Sequence, residues 1–122
     1  MTRNKVVLVG FPFDDLSGSK VRPAVCLTEP IGPHHHVVLA FITSRVCTEP
    51  LASDVALAAD APGFASTGLR VSSTLQLHRL MTATTALIRR ELGQLPPEMQ
   101  AKAAARLRTL FLLRADFPAT PG

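Results

Sequence analysis

The sequence predicts a mainly β domain of the α+β class: a small antiparallel barrel with a C-terminal α-helix. Two apolar runs rich in β-branched residues, 5–11 and 36–44, are typical of buried strands. The connections between the early strands carry proline or glycine and lack helical periodicity, so neighbouring strands must pair mainly antiparallel. The one strong helical pattern comes near the end of the chain, over residues 95–114.

The first half of the chain contains three predicted strands. Residues 5–11 form a nearly continuous apolar run, which indicates burial on both faces of a sheet. A loop with two aspartates and a glycine follows at 12–21. The second strand covers 22–28 with Pro23 near its start, where a missing N–H is tolerated. A turn then leads into the third strand at 36–44.

The second half is less regular at its start. Residues 53–57 predict a short strand, and the stretch after it, rich in Ala, Gly and Ser, is interpreted as a mobile loop. Apolar residues alternate with polar ones over 69–77, which predicts a half-buried strand. Two more short strands are predicted at 78–83 and 86–92, and Gly93 ends the last of them.

The C-terminal pattern predicts an amphipathic helix. Pro97 suits the first turn and Glu98 suits the positive end of the helix dipole. One apolar face is expected to pack on the sheet, and it comprises Met99, Ala103, Leu107, Leu110 and Phe111. We interpret the 122 residues as one domain, 1–122, with a flexible tail at 115–122.

The composition points to an anionic partner and to an interface. The chain has 13 Lys+Arg against 9 Asp+Glu, a formal net charge of +4 and a pI near 9.8, which favours nucleic acid or an acidic protein. Hydrophobic residues make up 47% and the mean hydropathy is +0.24, so some apolar surface is expected in a subunit or partner interface. No stretch resembles a signal peptide or a membrane span, which predicts a cytoplasmic protein without a membrane partner.

The loop before the second strand does not fit a Walker phosphate loop. Val21 follows Lys20 where that motif needs Ser or Thr, and a strand follows where it needs a helix. Ser17, Ser19 and Lys20 could still cradle a phosphate, although a solvated hairpin loop is the interpretation that residue types alone favour.

Metal and hydrolase motifs find no support in the sequence. The consecutive histidines at 34–36 would alternate in direction along an extended chain and would rarely converge on one ion, so no metal and no other cofactor is predicted. No GxSxG motif or Ser-His-Asp order indicates a catalytic triad. Cys26 and Cys47 are expected to pack as small apolar groups. The chain has no Trp or Tyr, so RNA would be held through its phosphates rather than by stacking.

Five segments, in order along nearly the whole chain, resemble the MazF/PemK toxin family of type II toxin–antitoxin systems. They are VVLVGFPFDDLSGSKVRPAVCLT, VVLAFITS, SDVAL, STLQLHRLMTA and LIRRELGQL. The resemblance implies an SH3-like barrel that forms homodimers and a metal-independent endoribonuclease that cuts single-stranded RNA at short sequences. Such a toxin inhibits translation and growth, and a cognate acidic antitoxin is expected to neutralise it.

The same resemblance implies the catalytic residues. The family's catalytic arginine falls on Arg22 and its catalytic threonine on Thr43, with Ser44 beside it. A guanidinium can contact two phosphate oxygens and a hydroxyl can add a third hydrogen bond, which suits cleavage by the substrate's own 2′-hydroxyl. The alternative for Arg22 is a salt bridge that anchors the loop. The residues expected to bind substrate are Ser19, Lys20, Ser44, Arg45, Gln76 and Arg79.

The strand STLQLHR departs from the family. One branch has an arginine and an aspartate where this chain has Gln76 and His78. A neutral glutamine cannot replace a cation, so the proton transfer of that branch does not carry over directly. His78 is either an acid or base that works near neutral pH, or an exposed strand histidine.

Two other functions are compatible with the sequence. The gyrase-inhibiting toxin CcdB resembles this fold without being a nuclease, and a degenerate barrel could bind a partner without catalysis. The pair Arg22 and Thr43 favours RNA cleavage over both.

Overall fold

The computed structural model describes residues 1–11, 20–45 and 48–112, and the elements below lie within these ranges. The strands are β1 (Lys5–Phe11), β2 (Lys20–Cys26), β3 (His36–Thr43), β4 (Asp54–Leu57), β5 (Ser73–Thr84) and β6 (Ile88–Gln94), and the helix is α1 (Pro97–Leu110). Short 3-10 turns cover Phe64–Thr67 and Thr85–Leu87. No described helix is long and apolar enough to cross a membrane. The predicted tail at 115–122 and most of the predicted loop at 12–21 lie outside the described residues.

The strands form one antiparallel sheet in the order β4-β5-β3-β2-β1-β6. The predicted class is confirmed: mainly β and antiparallel, with a C-terminal helix. The sheet is not closed, however, because β4 and β6 are edge strands among the described elements. Arg106 of α1 reaches β4, where its Nη1 donates to the carbonyl oxygens of Ala52 and Asp54 at 3.2 and 3.0 Å. This contact covers backbone groups that an edge strand would otherwise expose.

β5 is longer than predicted and bulged. The strands predicted separately at 69–77 and 78–83 merge into one twelve-residue strand that begins only at Ser73. Its pairing with β3 shifts by three residues, because Ala40 faces Leu80 whereas Phe41 faces Gln76. Residues 77–79 therefore have no partner in β3. A bulge bends a strand without ending it, and this is why the pattern resembled two strands.

β2 begins earlier than predicted, at Lys20. Pro23 consequently lies inside the strand, opposite Leu8 of β1. Its missing N–H is tolerated because the described pairing of β2 with β3 starts only at Ala24.

Apolar clusters lie on both faces of the sheet. The cluster on the first face packs on α1 and the first 3-10 turn, and it includes Val6, Val25, Ala40, Ile42, Val55, Leu75, Leu77, Met99 and Ala103. The cluster on the other face contains Val7, Val9, Ala24, Cys26, Val37, Leu39 and Ala83, with Phe41 and Met81 packed against it. Neighbouring residues of a strand alternate between the clusters, as a period of two requires. We call the side of the sheet that carries the latter cluster the second face.

α1 starts at Pro97, as predicted. Met99 and Ala103 are buried against the first face. The prediction that Leu110 and Phe111 join them is wrong, since these side chains are 36% and 53% exposed. The helical period identifies residues that share a stripe, but the helix continues past the turns that pack on the sheet.

Cys26 is buried in the cluster of the second face, which confirms that it packs as a small apolar group; Cys47 lies outside the described residues. Burial raises the pKa of the Cys26 thiol to about 11, against an opposing effect of Lys5. Only about 0.1% of such thiols are ionised at pH 8, and the thiolate is the reactive form. In a Cys47→Ser background we expect the folded protein to resist iodoacetamide at pH 8 and the unfolded protein to react, as measured by intact mass. Rapid modification of the folded protein would contradict this packing.

Candidate active site

The β2–β3 register, continued past its last described pair, would bring Arg22 near Thr43. Ala24 pairs with Phe41, and this is the last pair of the described β2–β3 ladder. If the same register continued for two more residues, Arg22 would come opposite Thr43. Because residues two apart share a face, both side chains belong to the second face, like those of Ala24 and Phe41. The two residues implied as catalytic therefore lie two residues beyond the last described pair, on adjacent strands.

Thr43 is the last residue of β3 and is half-buried. Its Oγ1 accepts a hydrogen bond from the Arg45 N–H at 3.1 Å. This bond orients the hydroxyl group and leaves its proton able to be donated. Ser44 and Arg45 are both exposed directly after the strand, so they border Thr43 on the solvent side.

Arg22 is exposed near the start of β2, where it stands opposite Val9 of β1. Among the described residues no hydrogen bond or ion pair engages its guanidinium. The loop carboxylates Asp14 and Asp15, which could form the salt bridge of the alternative interpretation, lie outside the described ranges.

Two predicted substrate-binding residues lie in or beside the loop between β1 and β2. Ser19 is outside the described residues. For Lys20 the structure describes the backbone, which pairs with Phe11 at the start of β2. Lys20 is therefore two residues before Arg22 on the same strand.

The bulge of β5 holds the remaining predicted residues. Gln76 precedes the bulge, faces Phe41 and is half-buried. His78 and Arg79 lie within the bulge and are exposed. Residues 77–79 span a single residue step of β3, so they advance little along the sheet; Leu77 is buried in the first-face cluster, whereas His78 and Arg79 are exposed. Gln76 lies about 7 Å along the sheet from the Thr43 position, and His78 lies close to Gln76 on the side away from Thr43.

Arg79 adds a positive charge beside Gln76 and His78. Its guanidinium carbon lies 5.8 Å from the centroid of the Phe41 ring, which is within the range of a cation–π contact. Phe41 is half-buried at the margin of the second-face cluster. The contact holds a positive charge next to the Thr43 end of β3.

The described residues contain no group of three or more side chains that could hold a metal ion. His34, His35 and His36 are exposed at the turn before β3, and the rings of His34 and His36 lie 5.9 Å apart. The described part of the second face instead presents guanidinium and hydroxyl groups, which bind phosphate oxygens.

The sequence analysis missed Asp54. This residue opens β4, and its side chain is only 5% exposed. It faces Gln76 in the β4–β5 ladder, so its carboxylate also belongs to the second face. The available signal was a single acidic residue at the start of the apolar stretch SDVAL, but such a residue is equally common at the end of a turn.

The described fold is that of a small, mainly β protein whose sheet carries exposed arginine side chains near its β2 and β5 strands. The chain belongs to the family described as PemK-like, MazF-like toxin of type II toxin–antitoxin system, whose model matches residues 2–111. By sequence alone, no curated protein matches the chain.

Solved structures of similar fold agree with this assignment. The Mycobacterium tuberculosis toxin MazF-mt6 is 22% identical, with a TM-score of 0.68 over 90% of this chain and 98% of its own. An endoribonuclease in complex with its cognate antitoxin, from a mycobacterial species, is 18% identical, with a TM-score of 0.65 over 97% and 99%. A chain of the MazE–MazF complex from Deinococcus radiodurans is 18% identical, with a TM-score of 0.67 over 93% and 98%. At these identities the likeness shows a shared fold.

Proposed function

We propose that this toxin is a metal-independent, sequence-specific endoribonuclease that cleaves single-stranded RNA and thereby inhibits translation and growth. The observation that supports the proposal is the β2–β3 register, which ends at Ala24 and Phe41 and, continued by two residues, would set Arg22 opposite Thr43. Two of the similar solved structures are named endoribonucleases, and this supports the assignment.

Arg22 and Thr43 stabilise charge at the phosphate. When the 2′-oxygen attacks phosphorus, the negative charge on the non-bridging oxygens increases. A guanidinium can donate to two of these oxygens at once, and the Thr43 hydroxyl can donate to one more. Since the Arg45 N–H already holds the Thr43 oxygen, the hydroxyl needs little reorganisation during the reaction.

Proton transfer accompanies the two bond changes. The O2′–P bond forms as the 2′-hydroxyl loses its proton, and the P–O5′ bond breaks as the 5′-oxygen gains one. The products are a 2′,3′-cyclic phosphate and a 5′-hydroxyl, and no water is consumed. We assign removal of the 2′-hydroxyl proton to His78, because imidazole is suited to proton transfer near neutral pH whereas guanidinium keeps its proton.

Other polar and cationic residues of the predicted site bind the RNA strand. We assign this role to Ser19, Lys20, Ser44, Arg45, Gln76 and Arg79. Little aromatic surface is exposed around the described part of the site, because Phe41 is half-buried and in contact with Arg79. Phosphate contacts therefore supply most of the affinity, which should fall with increasing salt.

We propose two protein partners, a second copy of this chain and an acidic antitoxin. Large apolar side chains are exposed at Val21, Leu80, Phe111 and Leu112, and surface of this kind is typical of interfaces. The net charge of +4 suits an acidic segment laid over the exposed arginines near β2 and β5. Antitoxin complexes of similar structures support the second partner. A toxin that acts on translation in this way works in the cytoplasm.

Purified protein should cut long single-stranded RNA in the presence of EDTA, because Arg22 and Thr43 supply the charge stabilisation themselves. The new ends should be 2′,3′-cyclic phosphate and 5′-hydroxyl, so the downstream fragments should accept label from polynucleotide kinase without phosphatase treatment. An Arg22→Ala preparation purified in parallel controls for contaminating nucleases. A requirement for magnesium or zinc would contradict the mechanism, and the absence of cleavage in any RNA would contradict the function.

A further inference from the structure

Asp54 is a buried carboxylate with an unused acceptor. Its Oδ2 accepts a hydrogen bond from the Leu51 N–H at 2.9 Å. Its Oδ1 is buried and has no hydrogen-bond partner among the described residues. A buried carboxylate oxygen without a donor destabilises the folded state. If Asp54 served only to cap the turn before β4, a side chain without this unsatisfied oxygen would stabilise the fold better.

The imidazole of His78 borders the unused oxygen. His78 Nδ1 lies 4.0 Å from Asp54 Oδ1. The strand register explains this proximity, because Asp54 faces Gln76 and the bulge keeps His78 next to Gln76. The distance exceeds that of a hydrogen bond, but the His78 side chain is 38% exposed, so it is not held in place by surrounding packing. Catalytic hydrogen bonds often shorten when substrate binds.

The carboxylate is the fixed member of this pair. On the side chain, Oδ2 is held by the backbone of Leu51, and on the main chain the Asp54 carbonyl accepts a hydrogen bond from Arg106 of α1 at 3.0 Å. The helix and the turn before β4 thus both anchor Asp54. The exposed imidazole is the member that can adjust.

We propose that Asp54 is a positioning residue that accepts the Nδ1–H of His78 and so presents His78 Nε2 to RNA bound along the second face. This inference rests on the proposed function, in which His78 takes the 2′-hydroxyl proton. In the family branch noted above, an aspartate occupies the position of His78 itself. In this chain the carboxylate comes from the neighbouring strand and acts through the imidazole.

The contact determines which nitrogen of His78 is basic. With Nδ1–H donated to Asp54, the lone pair lies on Nε2 and accepts the proton of the 2′-hydroxyl as the O2′–P bond forms. Asp54 then stabilises the imidazolium, the departing 5′-oxygen takes a proton from water, and His78 returns its own proton to solvent. Two other charged side chains border the pair, Arg79 in the bulge and Arg106 on α1.

Asp54→Asn is the variant that distinguishes a role of Asp54 in positioning His78 from a role in folding. The asparagine keeps an oxygen for the Leu51 N–H and places its amide NH₂ where Oδ1 stood. The amide would then donate to His78 Nδ1, so the ring would carry its proton on Nε2 and lose its basic nitrogen towards the RNA. The melting temperature should stay close to that of the wild type.

The first experiment measures the tautomer and does not depend on activity. Two-bond ¹H–¹⁵N correlation spectra of ¹⁵N-histidine-labelled protein identify the neutral tautomer of each imidazole, and His78→Gln assigns the signals of His78. We expect the Nδ1–H form in the wild type and the Nε2–H form in Asp54→Asn. An Nε2–H form in the wild type that Asp54→Asn leaves unchanged would overturn the inference.

The second experiment is a kinetic double-mutant cycle on a short fluorogenic RNA. Asp54→Asn should lower kcat by about 10- to 100-fold with little change in KM, which is at or below the contribution of a whole acid–base group. Adding Asp54→Asn to His78→Gln should cause no further loss, because Asp54 acts only through His78. Asp60→Asn, which alters an exposed carboxylate after β4, is the matched control and should keep the wild-type kcat. An unchanged kcat in Asp54→Asn, or multiplied losses in the double variant, would overturn the inference.

The two proposals fail differently. A wild-type protein that cuts no RNA would overturn the proposed function, and the catalytic role of Asp54 with it. The tautomer measurement would still decide whether Asp54 holds His78. Conversely, an active wild type with an active Asp54→Asn variant would leave the proposed function standing and remove Asp54 from it.

Discussion

Arg22→Ala should lower RNA cleavage by at least about three orders of magnitude while the protein stays folded. The expected loss is large because a guanidinium offers two charged hydrogen bonds to the reacting phosphate, and one neutral donor in such a position already contributes about 10²–10³. Folding should survive because the Arg22 side chain is exposed, and its place in the sheet depends on backbone pairing opposite Val9. Cleavage rates and melting curves are to be measured on the same preparations.

Two further variants make this prediction specific. Arg90→Ala removes an exposed arginine from the edge strand β6 and should leave cleavage close to wild type, so it controls for lost net charge. Arg22→Lys keeps the charge but loses the two-pronged donor geometry, and it should recover only a minor part of the activity. If Arg22→Ala lowered the melting temperature as sharply as the activity, a loop-anchoring salt bridge would explain Arg22 better.

The sequence predicted the strands where one chain segment determines its own structure. The runs at β1 and β3 are apolar and β-branched, and both strands lie close to the predicted bounds. The start of α1 at Pro97 was likewise predictable, because a proline in the first turn loses no hydrogen bond. In each case the local preference and the tertiary fold agree.

The bulge of β5 could not be predicted in the same way. Residues 77–79 have ordinary strand character, and nothing in them shows that β3 will pair with the residues on either side. A bulge is a property of two strands, whereas a sequence pattern reports on one. The nearness of His78 to Asp54 depends on that bulge and was therefore invisible as well.

The candidate site was predictable only in part. Arg22 and Thr43 came from the family resemblance, and the described β2–β3 register ends two residues before them. Asp54 was missed because burial of a single carboxylate is decided by its neighbours in β5 and α1. The exposure of Phe111 was missed because helical periodicity does not show where the sheet beneath a helix ends.

Gly93→Ala should destabilise the fold by at least about 3 kcal/mol, with a fall in melting temperature of about 10 °C or more. A Cβ on Gly93 would lie 2.2 Å from the carbonyl oxygen of Ser66 and 2.6 Å from the carbonyl carbon of Thr67. Both are backbone atoms, so no side-chain rotation can relieve the overlap. The 3-10 turn cannot withdraw easily either, because Thr67 is fully buried and Ser66 Oγ donates to the Gln94 carbonyl at 3.0 Å.

Gly32→Ala is the matched control, since it separates steric overlap from backbone conformation. Gly32 has a φ of +73° but nothing within 4 Å of an added Cβ, so alanine there should cost only about 1–2 kcal/mol, the cost of a left-handed backbone. Gly93 is not among the positive-φ residues, and its whole penalty should therefore come from the contact between β6 and the turn. Thermal unfolding followed by circular dichroism measures both variants. If Gly93→Ala melts no lower than Gly32→Ala, the 3-10 turn can move away from β6. The inferred tight packing between the turn and β6 would then be wrong.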